Sequence, residues 1–291
     1  MKILVIGKNG QVGYELERSL QGLGEIVAVG REQMDLADLQ QVRAVIRSVK
    51  PQLIVNAAAY VLVDKAESEP ELAMRINGEA PAVMAEEARE LGAGIIHYST
   101  NYVFDGAKQA AYLETDATFP VNVYGATKLA GEQAIQAAGV PHLILRTGWV
   151  YGMRGKNFLL TVMRLAAEHD ELRIVSDQFG SPTWCRTIAD TTAQLLARLD
   201  ARGGAVEAMA GPLSGIYHLT SSGRTSWHGF TEEIVRHASM TRAPTVTAIR
   251  ADEYPLPARR PHNAELSGER LRALGVHMPH WQDALALCRG G

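Results

Sequence analysis

The stretch Met1-Lys-Ile-Leu-Val-Ile-Gly7-Lys-Asn-Gly10-Gln-Val-Gly13 decides the fold that this 291-residue sequence predicts. Its first half is a short apolar run typical of a buried strand, and its second half is a glycine turn that opens a helix. Glycines there let backbone N–H groups approach a pyrophosphate at the positive helix N-terminus. The turn therefore predicts a dinucleotide site, although its first gap is one residue longer than in G-x-G-x-x-G and a turn without a ligand is the alternative.

Apolar runs of this kind recur along the chain and alternate with helical patterns. Helices that cover both faces of a parallel sheet make its strands continuously apolar, as these runs are. We therefore predict an α/β fold, a Rossmann-type doubly wound parallel sheet with a smaller C-terminal substrate-binding region. The predicted strands are Lys2–Ile6, Ile26–Val29, Leu53–Asn56, Ile95–Ser99, Leu143–Thr147 and Gly215–Leu219.

Loops become more frequent after about Trp149, which divides the predicted fold. We assign residues 1–148 to an NAD(P)-binding domain and residues 149–291 mainly to a substrate-binding region, with a segment at about 185–220 that could return to the first domain. Three prolines exclude a regular helix over Ala251–Asn263. The predicted helices are Glu79–Leu91, Arg186–Leu199, Thr225–Ala238, Ser267–Leu274 and Trp281–Cys288.

Composition limits the classes of function. With 46% hydrophobic and 21% charged residues the sequence is typical of a globular protein, and no apolar run predicts a signal peptide or membrane span. Cys185 and Cys288 offer neither a disulfide framework nor metal-ligand spacing, so we predict a cytoplasmic protein without a metal. His277 and His280 have no third ligand beside them. A formal charge of −3 argues against a nucleic-acid partner.

The residues after the second strand bear on the choice of cofactor. Gly30-Arg31 stands where NAD-specific sites usually carry an acid for the adenosine ribose. The Arg31 guanidinium suits a 2′-phosphate, so NADPH is favoured over NADH. Two alternatives stay open: Arg31 as a surface charge, and Glu32 or Asp35 as the partner of a ribose. Small side chains after the third strand, at Ala57, Ala58 and Ala59, let the backbone approach a cofactor, although a tight helix–strand contact also favours alanine.

Three residues form the predicted chemical centre. Reduction of a ketone by hydride leaves an alkoxide that needs a proton and a hydrogen-bond donor. Tyr124 and Lys128 are four residues apart, which places them on one helix face, where an ammonium would lower the pKa of the phenol. Thr100 ends a predicted strand and supplies a second hydroxyl. Tyr-x-x-x-Lys alone is common by chance, and its weight comes from the glycine turn and Thr100.

Eight stretches, in order over nearly the whole chain, resemble the extended short-chain dehydrogenase/reductase family, and within it the dTDP-4-dehydrorhamnose reductases. They are GKNGQVG (7–13), VNAAAYVLVDKAE (55–67), STNYVFDG (99–106), VNVYGATKLAGE (121–132), RTGWVYG (146–152), NF (157–158), DQFGSPT (177–183) and RPHNAEL (260–266). The resemblance implies reduction of the 4-keto group of dTDP-6-deoxy-L-lyxo-4-hexulose to dTDP-L-rhamnose, with Tyr124 as proton donor.

By the same resemblance each candidate residue receives a role. The catalytic residues are Thr100, Tyr124 and Lys128. The cofactor-binding residues are Gly7, Gly10, Gln11, Val12, Gly13, Arg31, Asp35, Leu36, Ala57, Ala58, Ala59, Tyr60, Ser99, Tyr124 and Lys128. The substrate-binding residues are Val63, Thr100, Asn101, Tyr102, Tyr124 and Trp149, and for Trp149 a place in the core is the alternative.

The sequence departs from the family pattern at three positions. Asn101 stands where Asp is usual, and Gly148 and Ala264 each stand where Ser is usual. These changes leave the Thr-Tyr-Lys set intact but put substrate affinity and turnover in question. Two other functions stay open: a reductase or epimerase of another nucleotide sugar, and a non-catalytic subunit like the β subunit of methionine adenosyltransferase. The resemblance is compatible with a monomer or a homodimer.

Overall fold

The computed structural model describes residues 1–238 and 242–290 of the chain. Twelve strands occur there: β1 (Lys2–Ile6), β2 (Glu25–Val29), β3 (Leu53–Asn56), β4 (Gly94–Thr100), β5 (His142–Thr147), β6 (Val150–Tyr151), β7 (Glu171–Val175), β8 (Phe179–Gly180), β9 (Thr183–Trp184), β10 (Gly215–His218), β11 (Thr225–Ser226) and β12 (Thr245–Ile249). The α-helices are α1 (Gln11–Ser19), α2 (Leu39–Val49), α3 (Val63–Ala66), α4 (Pro70–Met74), α5 (Ala80–Leu91), α6 (Val123–Ala138), α7 (Phe158–Glu168), α8 (Cys185–Asp200), α9 (Ala205–Met209), α10 (Trp227–His237), α11 (Glu269–Ala273) and α12 (Trp281–Gly290).

Six parallel strands form the central sheet, in the order β10-β5-β4-β3-β1-β2. Alternate residues of β1 enter different cores: Ile3 and Val5 join the cluster on one face, and Leu4 and Ile6 join the cluster on the other. Because both faces are covered, the inner strands are buried throughout, as their apolar runs indicated. The predicted α/β fold with a parallel sheet is confirmed.

Most predicted elements agree with the observed ones to within one or two residues. The 251–263 stretch is irregular except for one 3₁₀ turn at Ala251–Glu253. The sequence analysis did not detect α7, nor the parallel pair that β7 forms with β12. These elements surround an aromatic core, in which the Phe230 ring lies 5.3 Å from Tyr151 and 5.9 Å from Trp281 between centroids.

The chain returns to the central sheet after its first excursion. Helix α8 packs on α1, and β10 adds to the sheet beside β5. The segment that was expected to return at about 185–220 therefore lies against the large sheet, while the division at 148 stays a prediction. Residues 239–241 and 291 of the predicted substrate-binding region lie outside the described residues. Across 1–238 and 242–290, no helix is both long enough and apolar enough to cross a membrane.

The contact between β1 and α1 depends on the absence of a side chain at Gly13. A Cβ atom on Gly13 would lie 2.1 Å from the Gly7 carbonyl oxygen, a backbone atom that cannot move without displacing the glycine turn. Gly7 itself has a φ of +96°, in the region that favours glycine. The glycine spacing is therefore a packing requirement of the strand–turn–helix unit, whatever it binds.

We expect Gly13→Ala to lower the free energy of unfolding by about 2 kcal/mol, because overpacking forces the backbone to shift. Gly22→Ala is the matched control, since a Cβ atom there meets nothing within 4 Å. Urea denaturation followed by circular dichroism measures both. Equal midpoints for the two variants would contradict the packing argument.

Candidate active site

The register of the central strands brings polar residues together at one edge of the sheet. Asn56 at the end of β3 pairs with His97 on β4, and Thr100 at the end of β4 pairs with Thr147 on β5. Parallel strands end at the same edge, which is where α/β sheets bind ligands. All four of these residues are buried, so their polar groups act in a medium of low dielectric.

Helix α6 delivers the two other predicted catalytic residues to this edge. Asn122 caps the helix, since its side-chain oxygen accepts a hydrogen bond from the Gly125 N–H at 2.7 Å. Tyr124, Lys128 and Glu132 follow at intervals of four and so share one face. The Glu132 carboxylate accepts from the Arg146 guanidinium of β5 at 2.6 Å, with both groups buried. The cap and the ion pair fix the helix between them.

Tyr124 is a protonated phenol in this environment. Burial raises its pKa to about 12, and the nearby Thr100 side chain opposes that rise. The sequence predicted that Lys128 would lower this pKa. Instead, burial prevails, because the Lys128 Nζ donates to the Tyr98 carbonyl oxygen at 2.7 Å and lies 3.0 Å from His97 Nε2. Thr100 and Tyr124 are in contact, as a shared reaction centre requires.

Lys128 is fully buried at the end of a cavity. Burial lowers its pKa to about 8, and the Glu132 carboxylate opposes that shift. A lysine whose pKa lies so close to neutrality is common at functional sites. The sequence analysis identified Lys128 from its spacing to Tyr124, but it gave no sign that His97 would be its neighbour.

All of the predicted cofactor residues except Gly13 line a cavity of about 640 Å³ that extends from the glycine turn to Tyr124 and Lys128. Gly10 precedes α1 without a side-chain cap, so the first N–H groups of the helix are available to an anion. The shape and donors of this cavity fit a dinucleotide. Gly13 lies behind the turn, against Gly7. The predicted residues that line the cavity are Gly7, Gly10, Gln11, Val12, Arg31, Asp35, Leu36, Ala57, Ala58, Ala59, Tyr60, Ser99, Tyr124 and Lys128.

Arg31 and Asp35, which the sequence offered as competing cofactor ligands, are in contact with each other. The Arg31 Nε donates to Asp35 Oδ2 at 3.2 Å, and the Arg31 side chain is 78% exposed. A pair this exposed is weak, so an incoming phosphate can displace the carboxylate at little cost. Glu32 is exposed and outside the residues that line the cavity.

Apart from Tyr124, the predicted substrate residues are not among those that line this cavity. The Tyr102 ring stands edge-on to Tyr124, with 5.9 Å between centroids. Trp149 is half-buried and stacks on Trp227 at 3.5 Å, and its φ of +50° is unusual for a bulky residue. Val63 begins α3. The stacking gives Trp149 the core contact that was its alternative role, and Gly180 also lies close to the Trp149 ring, since a Cβ atom on Gly180 would be 2.7 Å from it.

An ion pair beside Tyr102 was missed by the sequence analysis. The Arg260 guanidinium donates to the Asp64 carboxylate, with 2.7 Å between Nη2 and Oδ2. This hydrogen bond keeps the pKa of Asp64 below its usual value. Burial raises the pKa of the Tyr102 phenol, and Arg260 opposes that rise. The pair ties α3 to the proline-rich loop at 251–263, and both residues lie within stretches that resemble the family.

The three departures from the family pattern meet at one point. The Asn101 side-chain nitrogen donates to the Ala264 carbonyl oxygen at 2.9 Å, and its oxygen lies 3.4 Å from Thr100 Oγ1. A Cβ atom on Gly148 would lie 2.2 Å from that same nitrogen. Gly148 therefore makes room for the observed orientation of Asn101, and the departures form one contact cluster rather than three separate losses.

Metal ligands are not assembled within 1–238 and 242–290, where no group of three or more His, Cys, Asp or Glu side chains could hold an ion. Cys185 and Cys288 are both buried and unpaired in a disulfide. The carboxylate of Glu15, an acidic residue of the first helix, accepts a hydrogen bond from the Arg186 guanidinium at 3.2 Å.

We expect Asn101→Asp to destabilise the protein by about 1–3 kcal/mol, because a carboxylate oxygen would face the buried Ala264 carbonyl without a proton between them. Gly148→Ser alone should also destabilise it, by overpacking. In the double variant the new serine side chain pushes the carboxylate at position 101 away from Ala264, and the serine hydroxyl can donate a hydrogen bond to that carboxylate. The double-mutant cycle, measured by urea denaturation, should therefore show a loss smaller than the sum, and simple additivity would contradict a shared cluster.

Comparison with known proteins gives a consistent family. The family model described as the RmlD substrate binding domain matches residues 1–289. A dTDP-4-dehydrorhamnose reductase of Burkholderia thailandensis is 48% identical, with 99% of this chain and 98% of the relative covered. Among solved structures, the reductase of Clostridium acetobutylicum has a TM-score of 0.89 at 34% identity, covering 99% of this chain and 98% of that one. The Bacillus anthracis reductase in complex with NADP has a TM-score of 0.88 at 32% identity, covering 98% and 96%. The predicted family is confirmed, and the chain belongs to the RmlD family of dTDP-4-dehydrorhamnose reductases.

Proposed function

We propose that this chain reduces the 4-keto group of dTDP-6-deoxy-L-lyxo-4-hexulose to dTDP-L-rhamnose, with NADPH as the reductant. The observation that carries the proposal is the position of Tyr124 and Lys128, which close the inner end of the cavity that begins at the glycine turn. Thr100 contacts Tyr124 at the same place. The names of the family's relatives and the NADP complex of one of them support this substrate and cofactor.

The side chains divide the work of a ketone reduction. NADPH, when bound, supplies the hydride. The Thr100 hydroxyl is placed to donate a hydrogen bond to the carbonyl oxygen, where negative charge develops. Tyr124 holds its proton firmly at rest, since burial keeps its pKa near 12. A nascent alkoxide is more basic than a phenolate, so the proton passes from Tyr124 to the sugar oxygen as the charge appears.

The sugar nucleotide would bind on the side of Tyr124 that faces the smaller region. Val63, Tyr102 and Trp149 are the predicted contacts of the sugar nucleotide, and the Asp64–Arg260 pair ties α3, which begins at Val63, to the loop that carries Arg260. Asn101, held by Ala264, sets the orientation of Thr100. A cytoplasmic location and a monomeric or homodimeric state stay predictions.

Mixing the protein with NADPH and enzymatically made dTDP-6-deoxy-L-lyxo-4-hexulose should give a loss of absorbance at 340 nm. Product analysis should find dTDP-L-rhamnose. Folded protein that binds NADPH yet does not oxidise it with this sugar would overturn the proposal. NADPH oxidation with a different nucleotide sugar alone would then indicate a different reductase. No NADPH oxidation with any nucleotide sugar would indicate a binding subunit.

Tyr124→Phe provides the test of the proton donor in the same assay. We expect kcat to fall by about 10²–10⁴-fold, because the ring stays in place while the proton is lost. Fluorescence titration with NADPH should be nearly unchanged. Tyr14→Phe is the control, since Tyr14 lies on α1 outside the residues that line the cavity. Full turnover in the Tyr124 variant would disprove the assignment.

Arg31→Ala should raise the Kd for NADPH about tenfold and leave that for NADH nearly unchanged, because only NADPH carries the 2′-phosphate. Arg164→Ala is the matched control, since Arg164 forms a similar i, i+4 pair with Glu168 on the surface. Isothermal titration calorimetry with both cofactors measures the ratio. Equal weakening of NADPH and NADH would refute a contact with the 2′-phosphate.

A further inference from the structure

A chain of four hydrogen-bonding groups runs from the backbone after β3 to Lys128. The Ala58 N–H donates to Asn56 Oδ1 at 3.1 Å, and Asn56 Nδ2 lies 3.1 Å from His97 Nδ1. On the other side of the ring, His97 Nε2 lies 3.0 Å from Lys128 Nζ. The three side chains are each only 1% exposed. The roles in this chain are therefore fixed by the protein and not by solvent.

Counting protons along the chain determines the tautomer of His97. The backbone N–H of Ala58 can only donate, so the atom of Asn56 that faces it is the oxygen. The Asn56 amide nitrogen, also a donor, then faces His97 Nδ1. A neutral imidazole carries one proton, and with Nδ1 accepting, that proton is on Nε2.

The Nε2 proton points at the amine of the catalytic lysine. Lys128 Nζ can accept it only through a lone pair, which an ammonium group lacks. The lysine amine meanwhile donates to the Tyr98 carbonyl oxygen at 2.7 Å. Each contact along the chain thus joins one donor to one acceptor when Lys128 is a neutral amine. An ammonium would leave two donors facing each other, either at His97 Nε2 or between His97 and Asn56.

We propose that His97 is a positioning residue of the active site, whose Nε2–H donates a hydrogen bond to the Lys128 amine. Together with Asn56, it lowers the affinity of that amine for a third proton. The inference rests on the proposed function only for its kinetic consequence. It gives Lys128 a charge that changes near neutral pH. After Tyr124 has given its proton to the sugar oxygen, a Lys128 ammonium can return one to the phenolate, and the amine that remains then takes up a proton from water.

The surrounding groups are compatible with this role. Burial and the neighbouring Lys128 keep the pKa of His97 well below its usual value, so the ring stays neutral. On its own helix Lys128 faces Tyr124 and Glu132, and the Glu132 carboxylate is neutralised by Arg146 of β5. From β4 it faces His97 and the Tyr98 carbonyl oxygen, and from β3 the nearest polar side chain is the uncharged Asn56. Burial of Lys128 lowers its pKa in the same direction.

Nitrogen NMR of the full-length protein with ¹⁵N-labelled histidine tests the tautomer directly and needs no activity. At pH 9, with and without NADP⁺, the His97 ring should carry its proton on Nε2. The signal is assigned by its loss in His97→Gln, with His277→Gln as the control that loses a different signal. Asn56→Asp should move the proton to Nδ1, because a carboxylate accepts where the amide donates. A wild-type ring protonated on Nδ1 would overturn the proposal, whatever the substrate of the enzyme.

The pH profile of kcat separates this role from a merely structural one. In His97→Gln an amide oxygen can accept a hydrogen bond from a Lys128 ammonium, which stabilises the charged form. The limb of the kcat–pH curve that reports the Lys128 pKa should therefore move to higher pH, by about one unit. A structural role alone would lower kcat at every pH and leave the limb in place, which would count against the proposal. Asn56→Asp should move this limb of the kcat–pH curve in the same direction, and it provides the same test if His97→Gln does not fold. The profile is read with whichever nucleotide sugar the protein reduces, so a wrong substrate does not affect the test.

Discussion

The parallel register of β3, β4 and β5 is the constraint on which the rest of the site depends. It sets Asn56 beside His97 and Thr100 beside Thr147. A shift of one residue would turn each of these side chains to the other face of the sheet. The apolar residues that enter the two cores therefore fix the register, and the register in turn fixes the polar edge. Packing and chemistry are linked through the same hydrogen-bonded ladder.

Helix α6 carries the remaining chemistry, and buried polar contacts hold it at both ends. Burying the Glu132–Arg146 pair costs desolvation, which its bidentate geometry offsets, and removing one partner would leave an uncompensated charge. At the other end the Asn122 amide reaches the Arg259 carbonyl oxygen of the proline-rich loop. The helix is thus anchored both to the sheet, through Arg146, and to the proline-rich loop, through Arg259. Tyr124 has little freedom to move away from Thr100.

Local patterns predicted much of the fold and part of the site. The strands of the central sheet are continuous apolar runs, and the glycine turn, Thr100, Tyr124 and Lys128 lie in short motifs. The β7–β12 pair could not be predicted in this way, because its partners are distant in sequence and its strands are only partly buried. The contacts Asn56–His97 and Asp64–Arg260 join residues 41 and 196 positions apart, so only the tertiary fold shows them. His97 itself lies in an apolar strand, where a histidine reads as a core residue.

The reaction centre carries little negative charge at rest, and this bears on the meaning of the departures. Tyr124 and Thr100 are neutral hydroxyls, and His97 is a neutral ring. At position 101 an aspartate would place a negative charge 3.4 Å from the Thr100 hydroxyl. That charge would compete for the proton that Thr100 must offer to the sugar, whereas Asn101 places an uncharged amide there. The Asn101 oxygen accepts from the Thr100 hydroxyl at 3.4 Å, but a neutral amide is a weaker acceptor than a carboxylate, so the sugar carbonyl oxygen can take over this hydrogen bond as its negative charge develops. The amide at this position therefore suits an electrostatic design in which the developing alkoxide is the dominant attraction for the Tyr124 proton.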